Sequence, residues 1–322
     1  MWTQTANQTL ELDDVTRLPS FRMTAMSFCF FAQFLSVSLN LLIIFALPRS
    51  HNKFGENGRL CFCWLAVSDL LGGLICFGAR GVYEIDPSLL LDNLKVCALV
   101  SASCTSFFSM SNCLLAVASI DRYIAITRPM QYPILLTRMR ILILLGSAAF
   151  CGITLSILRA FHGILSDTCD FEPMMYVNEP SMLCYVMLAM LIGFITAVMN
   201  TRLLVIARQH RRRIIQVCEK AVGGAQNMNA LAQGGKMKSI VTVSLIVGAF
   251  YLVWTPYAIG ALLAVARGIA LPEPVYFSTI YIALSTHYVN ALVFFGLHKT
   301  FRQAVCKMCR RETLHGEETS IL

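Results

Sequence analysis

Two short stretches of this sequence carry charge in apolar surroundings. In "LAVSDLL" a single carboxylate, Asp69, sits within an apolar run; in "SIDRYIAITRP" Asp121 and Arg122 stand side by side, with Tyr123 next, where another run closes. An acid at mid-membrane depth costs about 2.5–3.5 kcal/mol on insertion scales, so it normally faces a bundle interior and has partners. Asn40, Ser111 and Asn290, each inside a different apolar run, are the candidate partners of Asp69. A carboxylate among hydroxyl and amide oxygens suits a hard cation; it equally suits a purely structural polar knot. Asp121 can hold Arg122 by a charge-assisted hydrogen bond at a helix end, where the guanidinium still reaches water or a partner. Enzymatic chemistry is not expected. His162, His287 and His298 are scattered and form no metal-ligand cluster or Ser/His/Asp set with their neighbours.

The elements that position these residues follow from composition. Of 322 residues, 57% are hydrophobic and 14% charged, against about 25% charged in a soluble domain. Seven apolar blocks, roughly 24–48, 59–83, 94–127, 140–162, 182–208, 238–267 and 274–297, each supply the ~20 residues that cross a bilayer. Backbone groups in lipid must be paired internally, so the blocks are helices. The expected fold is an all-α membrane protein, a seven-transmembrane helix bundle. The fourth and seventh spans are the least clear, the seventh because it holds His287 and Asn290.

Charge orients the bundle. Arg49, Lys53 and Arg59 follow the first span, Arg128, Arg138 and Arg140 the third, and Arg302, Lys307, Arg310 and Arg311 the seventh. Arg211, Arg212, Arg213, Lys236 and Lys238 join the fifth to the sixth. By the positive-inside rule the N-terminus is extracellular and the C-terminus cytoplasmic. The net charge of +8 is thus a topology signal, and no nucleic-acid partner is expected. The division is an extracellular tail (1–23), the membrane domain (24–297) and a cytoplasmic tail (298–322). The tail lacks a signal peptide's h-region, so the first span is expected to serve as an uncleaved insertion signal. It carries a glycosylation triplet at Asn7. Of 13 cysteines most lie in spans. Cys97 and Cys169 both fall on the oxidising outer side and can pair, with Cys184 the competing partner.

Five motifs in order, each in its own span, resemble those of rhodopsin-like (class A) G protein-coupled receptors: Asn40 in "SLNLLIIFAL", Asp69 in "LAVSDLL", Asp121-Arg122-Tyr123, Trp254 and Pro256 in "LVWTPY", and "YVNALVFF" around Asn290. "GLHKTFRQAVCKMC" resembles the family's short amphipathic eighth helix. The resemblance implies an extracellular small ligand, a heterotrimeric G protein and arrestin as partners. It also implies an inactive-state sodium ion among Asn40, Asp69, Ser111 and Asn290 and release of Arg122 to the G protein on activation. Phe250, Trp254, Pro256 and Phe294 are expected to form the activation switch. Pro256 removes a backbone hydrogen bond and kinks span six.

Departures from the pattern are specific. Thr286 and His287 replace the usual Asn and Ser beside Asp69, and an imidazole there can alter or abolish the ion site. Lys236 and Lys238 stand where many members have an acid that restrains the arginine, which implies a loose resting state. Ala149 and Ile192 replace the usual Trp and Pro of spans four and five, Asn200 an inner Tyr, and Ala291 and Phe294 the Pro and Tyr of span seven. A receptor-like decoy or heterodimer partner with impaired coupling is the alternative within the family. A transporter would need internal repeats or paired intramembrane charges, and neither is present in the sequence.

The family's amine receptors carry an Asp at the position of Cys104, so a non-aminergic receptor is expected. Leu284 occupies the retinal-lysine position, which excludes a Schiff base there. Cys104, Thr105, Phe108, Tyr257, Ala261, Ile280 and Leu284, above Trp254, form the expected ligand lining. It is apolar and aromatic, suited to a lipid, a nucleoside-like or another weakly charged molecule. Glu84 and Arg159, near the outer span ends, are expected to be solvated at the rim, with reception of a charged ligand the alternative. "RQHRRRIIQVCEKAV" reads as a helical extension of span five facing anionic lipid and the G protein, and "GGAQNMNALAQGG" as a flexible link. Cys306 and Cys309 are palmitoylation candidates, and the terminal "TSIL" fits a PDZ protein.

Overall fold

The computed structural model describes residues 19–48, 55–165, 180–220, 226–267, 272–297, 301–303 and 305–306. The spans are α1 (Pro19–Ala46), α2 (Gly55–Ile85), α3 (Leu94–Thr127), α4 (Arg138–Leu165), α5 (Pro180–Lys220) and α6 (Gln226–Arg267). Span seven comes in two halves, α7 (Glu273–Leu284) and α8 (Thr286–Leu297). Six helices are each long and apolar enough to cross a membrane, and the α7/α8 pair makes a seventh span bent by 44°. The bend at Ser285 needs no proline. Its hydroxyl donates to the Ile282 carbonyl at 2.6 Å, a local bond that competes with the helix ladder, and β-branched Thr286 follows.

The central helix is α3, which packs against α2, α4, α5 and α6. It starts where the Asn93 side chain accepts a hydrogen bond from the Val96 amide, one of the orphan donors of a helix start. It ends at Arg128, just before Pro129, as the restricted backbone preceding a proline favours. Its buried positions are mostly small or polar, which lets neighbouring helices approach closely. On α4, Ala148, Gly152 and Ser156 are all buried at a spacing of four. A Cβ at Gly152 would lie 3.1 Å from the Ser106 carbonyl oxygen. Close backbone contact therefore seats α4 on α3 without the Trp that relatives of the expected family place near Ala149.

The main apolar core gathers Leu114, Leu115, Ile246, Phe250, Phe294 and Phe301. Large side chains such as Phe34, Phe150, Phe194 and Leu252 remain exposed on the outside of the bundle, where lipid replaces water. The basic extension of span five is helical to Lys220 as expected. One expectation fails here: residues 226–235, read as part of a flexible link, belong to α6. With Ala, Gln, Met and Leu among them, helix formers outweigh the paired glycines at 234–235.

Candidate functional site

Asp69 is fully buried and its carboxylate is met from two helices, α3 and α8. The Ser111 hydroxyl of α3 donates to Oδ1 at 2.7 Å and the Asn290 amide of α8 to Oδ2 at 2.9 Å. His287 Nδ1, also on α8, lies 3.4 Å from Oδ1. The roles in that contact depend on which ring nitrogen carries the proton; with the proton on Nδ1 the imidazole donates to the acid. Asn40 of α1 does not touch the carboxylate. It donates instead to the His287 carbonyl at 2.8 Å, beside Ser36, whose hydroxyl reaches the same carbonyl at 3.1 Å. Room for the ring comes from Gly72, where a Cβ would run into His287 Cε1 and Nδ1 and into Phe107 Cβ. A cavity of about 10 Å³, room for about one water, adjoins Asp69 between Asn40, Asn290, Leu65, Ile246 and Phe294. Neither Ser111 nor His287 lines it. As a cation site this arrangement fits poorly, because the carboxylate oxygens already accept from Ser111 and Asn290, the imidazole stands against Oδ1, and a hard ion needs lone pairs.

At the C-terminal end of α3, Asp121 is fully buried and Arg122 Nη2 lies 2.7 Å from its Oδ2. That contact is electrostatic, since Oδ2 has no well-angled hydrogen bond. Oδ1 accepts from the Tyr132 hydroxyl at 2.7 Å. Burial first, then the Asp121 charge, hold the Tyr132 phenol well above its ordinary pKa, so it stays a donor. The short helix Tyr132–Leu135 that presents it is tied back to α2 by Asn57, which donates to the Leu136 carbonyl at 2.8 Å. Arg122 lies against Gly58 of α2, where any Cβ would collide with Nη2. Tyr123 is half-buried beside it. The side chains of Lys236 and Lys238 lie outside the described residues.

Helix α6 is tied to its neighbours by neutral hydrogen bonds. Tyr251 donates to Asn112 Oδ1 of α3 at 2.6 Å. Asn200 of α5 donates to the Ser119 hydroxyl at 2.8 Å and accepts from Ser244 of α6 at 3.3 Å. Above them Phe108 stacks on both Phe250 and Trp254, with ring centroids 5.4 and 5.2 Å apart, and Pro256 lies inside α6 one half-turn beyond. Phe294 is not part of this stack. It packs between Phe62 and Phe301 at 4.9 and 5.1 Å.

Of the expected ligand lining, Phe108 and Tyr257 pack on the Trp254 cluster, while Tyr257 and Ile280 also pack around Ala261. Thr105 is half-buried and turned to its own helix, donating to the Ser101 carbonyl at 3.0 Å. Leu284 is half-buried at the end of α7. Cys104 is a free thiol within reach of Cys76 on α2. Glu84 corrects an expectation, for it is not a solvated rim acid. It is 7% exposed, paired with Arg80 at 2.6 Å and accepting from the Tyr281 hydroxyl at 2.7 Å. The Arg80 guanidinium also lies over Phe277, 4.5 Å from the ring centroid. Sequence reasoning missed this cluster, although Arg80 and Glu84 stand at the i,i+4 spacing of a helical ion pair. Tyr132 was missed as well, since nothing local marks which loop tyrosine turns inward.

Cys97 is buried and disulfide-bonded; Cys169, Asn7, Cys309 and the terminal residues lie outside the described residues, as does the side chain of Arg159. Cys306 is exposed in the helical stretch after α8. There Arg302 donates to the Phe295 and Gly296 carbonyls at 2.9 and 2.6 Å, satisfying the end of α8.

Comparison with known proteins agrees with this layout. The chain is 26% identical to the histamine H2 receptor of Cavia porcellus over 94% of its own length and 88% of that receptor's. To the trace amine-associated receptor 7e of Mus musculus it is 23% identical, over 85% and 79% respectively. Those relatives are named for amines, so they lend no support to a non-aminergic assignment. The family model described as "7 transmembrane receptor (rhodopsin family)" matches residues 39–296, and the chain belongs to that family of seven-transmembrane receptors, which are not enzymes.

Proposed function

We propose that this protein is a plasma-membrane receptor, N-terminus outside, that binds an extracellular small ligand above Trp254 and activates a heterotrimeric G protein through its cytoplasmic face. The observation that carries the reading is the Asp121–Arg122 pair, buried on its acid side at 2.7 Å and placed at the inner end of the same helix whose Phe108 stacks under Trp254. A ligand pressing on the stack and a G protein competing for Arg122 act on one rigid element, α3, and on the kinked α6 beside it.

The test is agonist-free signalling across the main G protein pathways, wild type beside Arg122→Ala, at matched surface expression. Wild-type output above the empty-vector level, lost in the variant, is expected. Output that persists unchanged in Arg122→Ala would sink the reading. Silence in both leaves a silent receptor awaiting its ligand or one disabled at Ala291 and Phe294, and Ala291→Pro with Phe294→Tyr separates them: restored G protein recruitment favours the decoy or heterodimer role.

For the ligand, the Cys104 thiol supplies no counter-charge to an ammonium group, which supports a lipid, a nucleoside-like or another weakly charged molecule. A second reading, a small amine, is favoured by the names of the relatives. A buried acid beside that lining is Glu84, bonded to Arg80 and to Tyr281, which packs on the Ala261 cluster. Amines that activate wild type and lose potency in Glu84→Gln would establish the second reading against the first. Arrestin, membrane lipid at the basic extension of α5, palmitoylation at Cys306 and Cys309, and a PDZ protein at the terminus remain part of the proposal.

A further inference from the structure

We propose that the polar core of this receptor is closed to sodium by His287, whose imidazole occupies the place beside Asp69 that the ion would need. The inference rests on family membership and on the Asp69 geometry, and goes beyond the ligand and coupling reading above.

Four observations converge. First, the imidazole is on the carboxylate itself, Nδ1 lying 3.4 Å from Oδ1, and the ring is 1% exposed. Second, its position is built rather than incidental. Gly72 leaves the space that a Cβ would take from Cε1 and Nδ1, and Asn40 and Ser36 both donate to the His287 carbonyl, pinning that residue's backbone from α1. Third, the remaining contacts of Asp69 are hydrogen donors, Ser111 on Oδ1 and Asn290 on Oδ2. A cation entering at the imidazole's place would find both carboxylate oxygens already accepting hydrogens from Ser111 and Asn290. Fourth, the nearby cavity, about 10 Å³, is sized for about one water and lies on the side away from Ser111 and His287. Asn290, whose Oδ1 has no protein partner, lines it. The acid's hydrogen-bonding is therefore met by protein donors without a bound ion.

The experiment is thermal unfolding of the purified full-length receptor in sodium chloride and in potassium chloride at equal ionic strength. Wild type should melt at the same temperature in both. His287→Ser, which removes the ring and supplies an oxygen, should gain a sodium-specific rise in Tm of about 2–4 °C, the size produced by a ligand held at several times its dissociation constant. Asp69→Asn added to that variant should abolish the rise. His287→Ala provides a second opening of the site should the serine variant fold poorly. A sodium-specific stabilisation of wild type that Asp69→Asn removes would overturn the proposal. So would the absence of a sodium response in both opened variants, since the ring would then not be what keeps the ion out. Melting curves need neither agonist nor G protein, so failure of the signalling reading and failure of this one are separable.

Discussion

At the residue scale, function depends on how two buried acids are held. Asp121 is restrained from outside its own helix by a tyrosine in the following joint, and Arg122 is seated against Gly58 of α2. One net hydrogen bond contributes about 0.5–1.5 kcal/mol, so Tyr132→Phe should raise agonist-free signalling about two- to ten-fold at matched surface expression. An unchanged basal level would show that the tyrosine positions the joint and not the switch. Gly58→Ala should act in the same direction, since the added methyl must displace the guanidinium. Asp69, by contrast, is bonded wholly within the bundle, which ties α2, α3 and α8 together through one carboxylate.

At the element scale, the proposed coupling role turns on how firmly α6 is held to α3 and α5. The absence of an acid near Lys236 predicts a loose resting state, but the structure supplies neutral ties that the sequence did not suggest. Tyr251 to Asn112 and Ser244 through Asn200 to Ser119 join α6 to α3 and α5. Polar bonds between membrane helices average about 0.6 kcal/mol and reach about 1.7. Asn200→Ala should therefore lower thermal stability by roughly 1 kcal/mol and raise basal signalling, whereas Asn200→Asp should be worse because it buries a charge. A variant with wild-type melting and wild-type basal output would remove the ties from the account. The α3–α4 contact is a second sensitive element. Gly152→Leu forces side-chain atoms against the Ser106 carbonyl, 3.1 Å from the first of them, and should cost about 1–3 kcal/mol, read as a lower Tm and reduced surface delivery.

At the scale of the whole molecule, one end of the bundle holds the Arg80–Glu84–Tyr281 cluster and the other the Asp121–Arg122–Tyr132 cluster. Arg80, Glu84 and Tyr281 join α2 to α7, and Arg22 of α1 donates to the Glu84 carbonyl at 3.0 Å. Breaking a buried pair by removing one partner costs about 3–5 kcal/mol, because the other charge is left unpaired. Glu84→Leu should accordingly destabilise strongly, and Arg80→Met with Glu84→Leu should recover most of the loss. Detergent-solubilised melting curves of the two singles and the double give the coupling directly. Additive losses would mean that the two charges do not act as a pair in the bilayer.

Much of this was legible before any coordinates. Long apolar blocks fix the number of helices because unpaired backbone is intolerable in lipid, and the lysine and arginine bias orients them. The order of motifs placed Asp69, Ser111, Asn290, Asp121, Arg122 and Trp254 on their helices, and the structure brings the first three together. Which side chains fill the space between helices depends on rotation and close approach, which spacing within one helix does not encode. Thus Phe294 joins Phe62 and Phe301 rather than the tryptophan stack, Glu84 turns from solvent to Arg80, and Asn40 bonds a carbonyl instead of the acid. The position of His287 against Asp69 is of the same kind. It requires a glycine on α2 and two donors on α1 to coincide, and only the folded bundle brings residues some 200 positions apart into one packed layer.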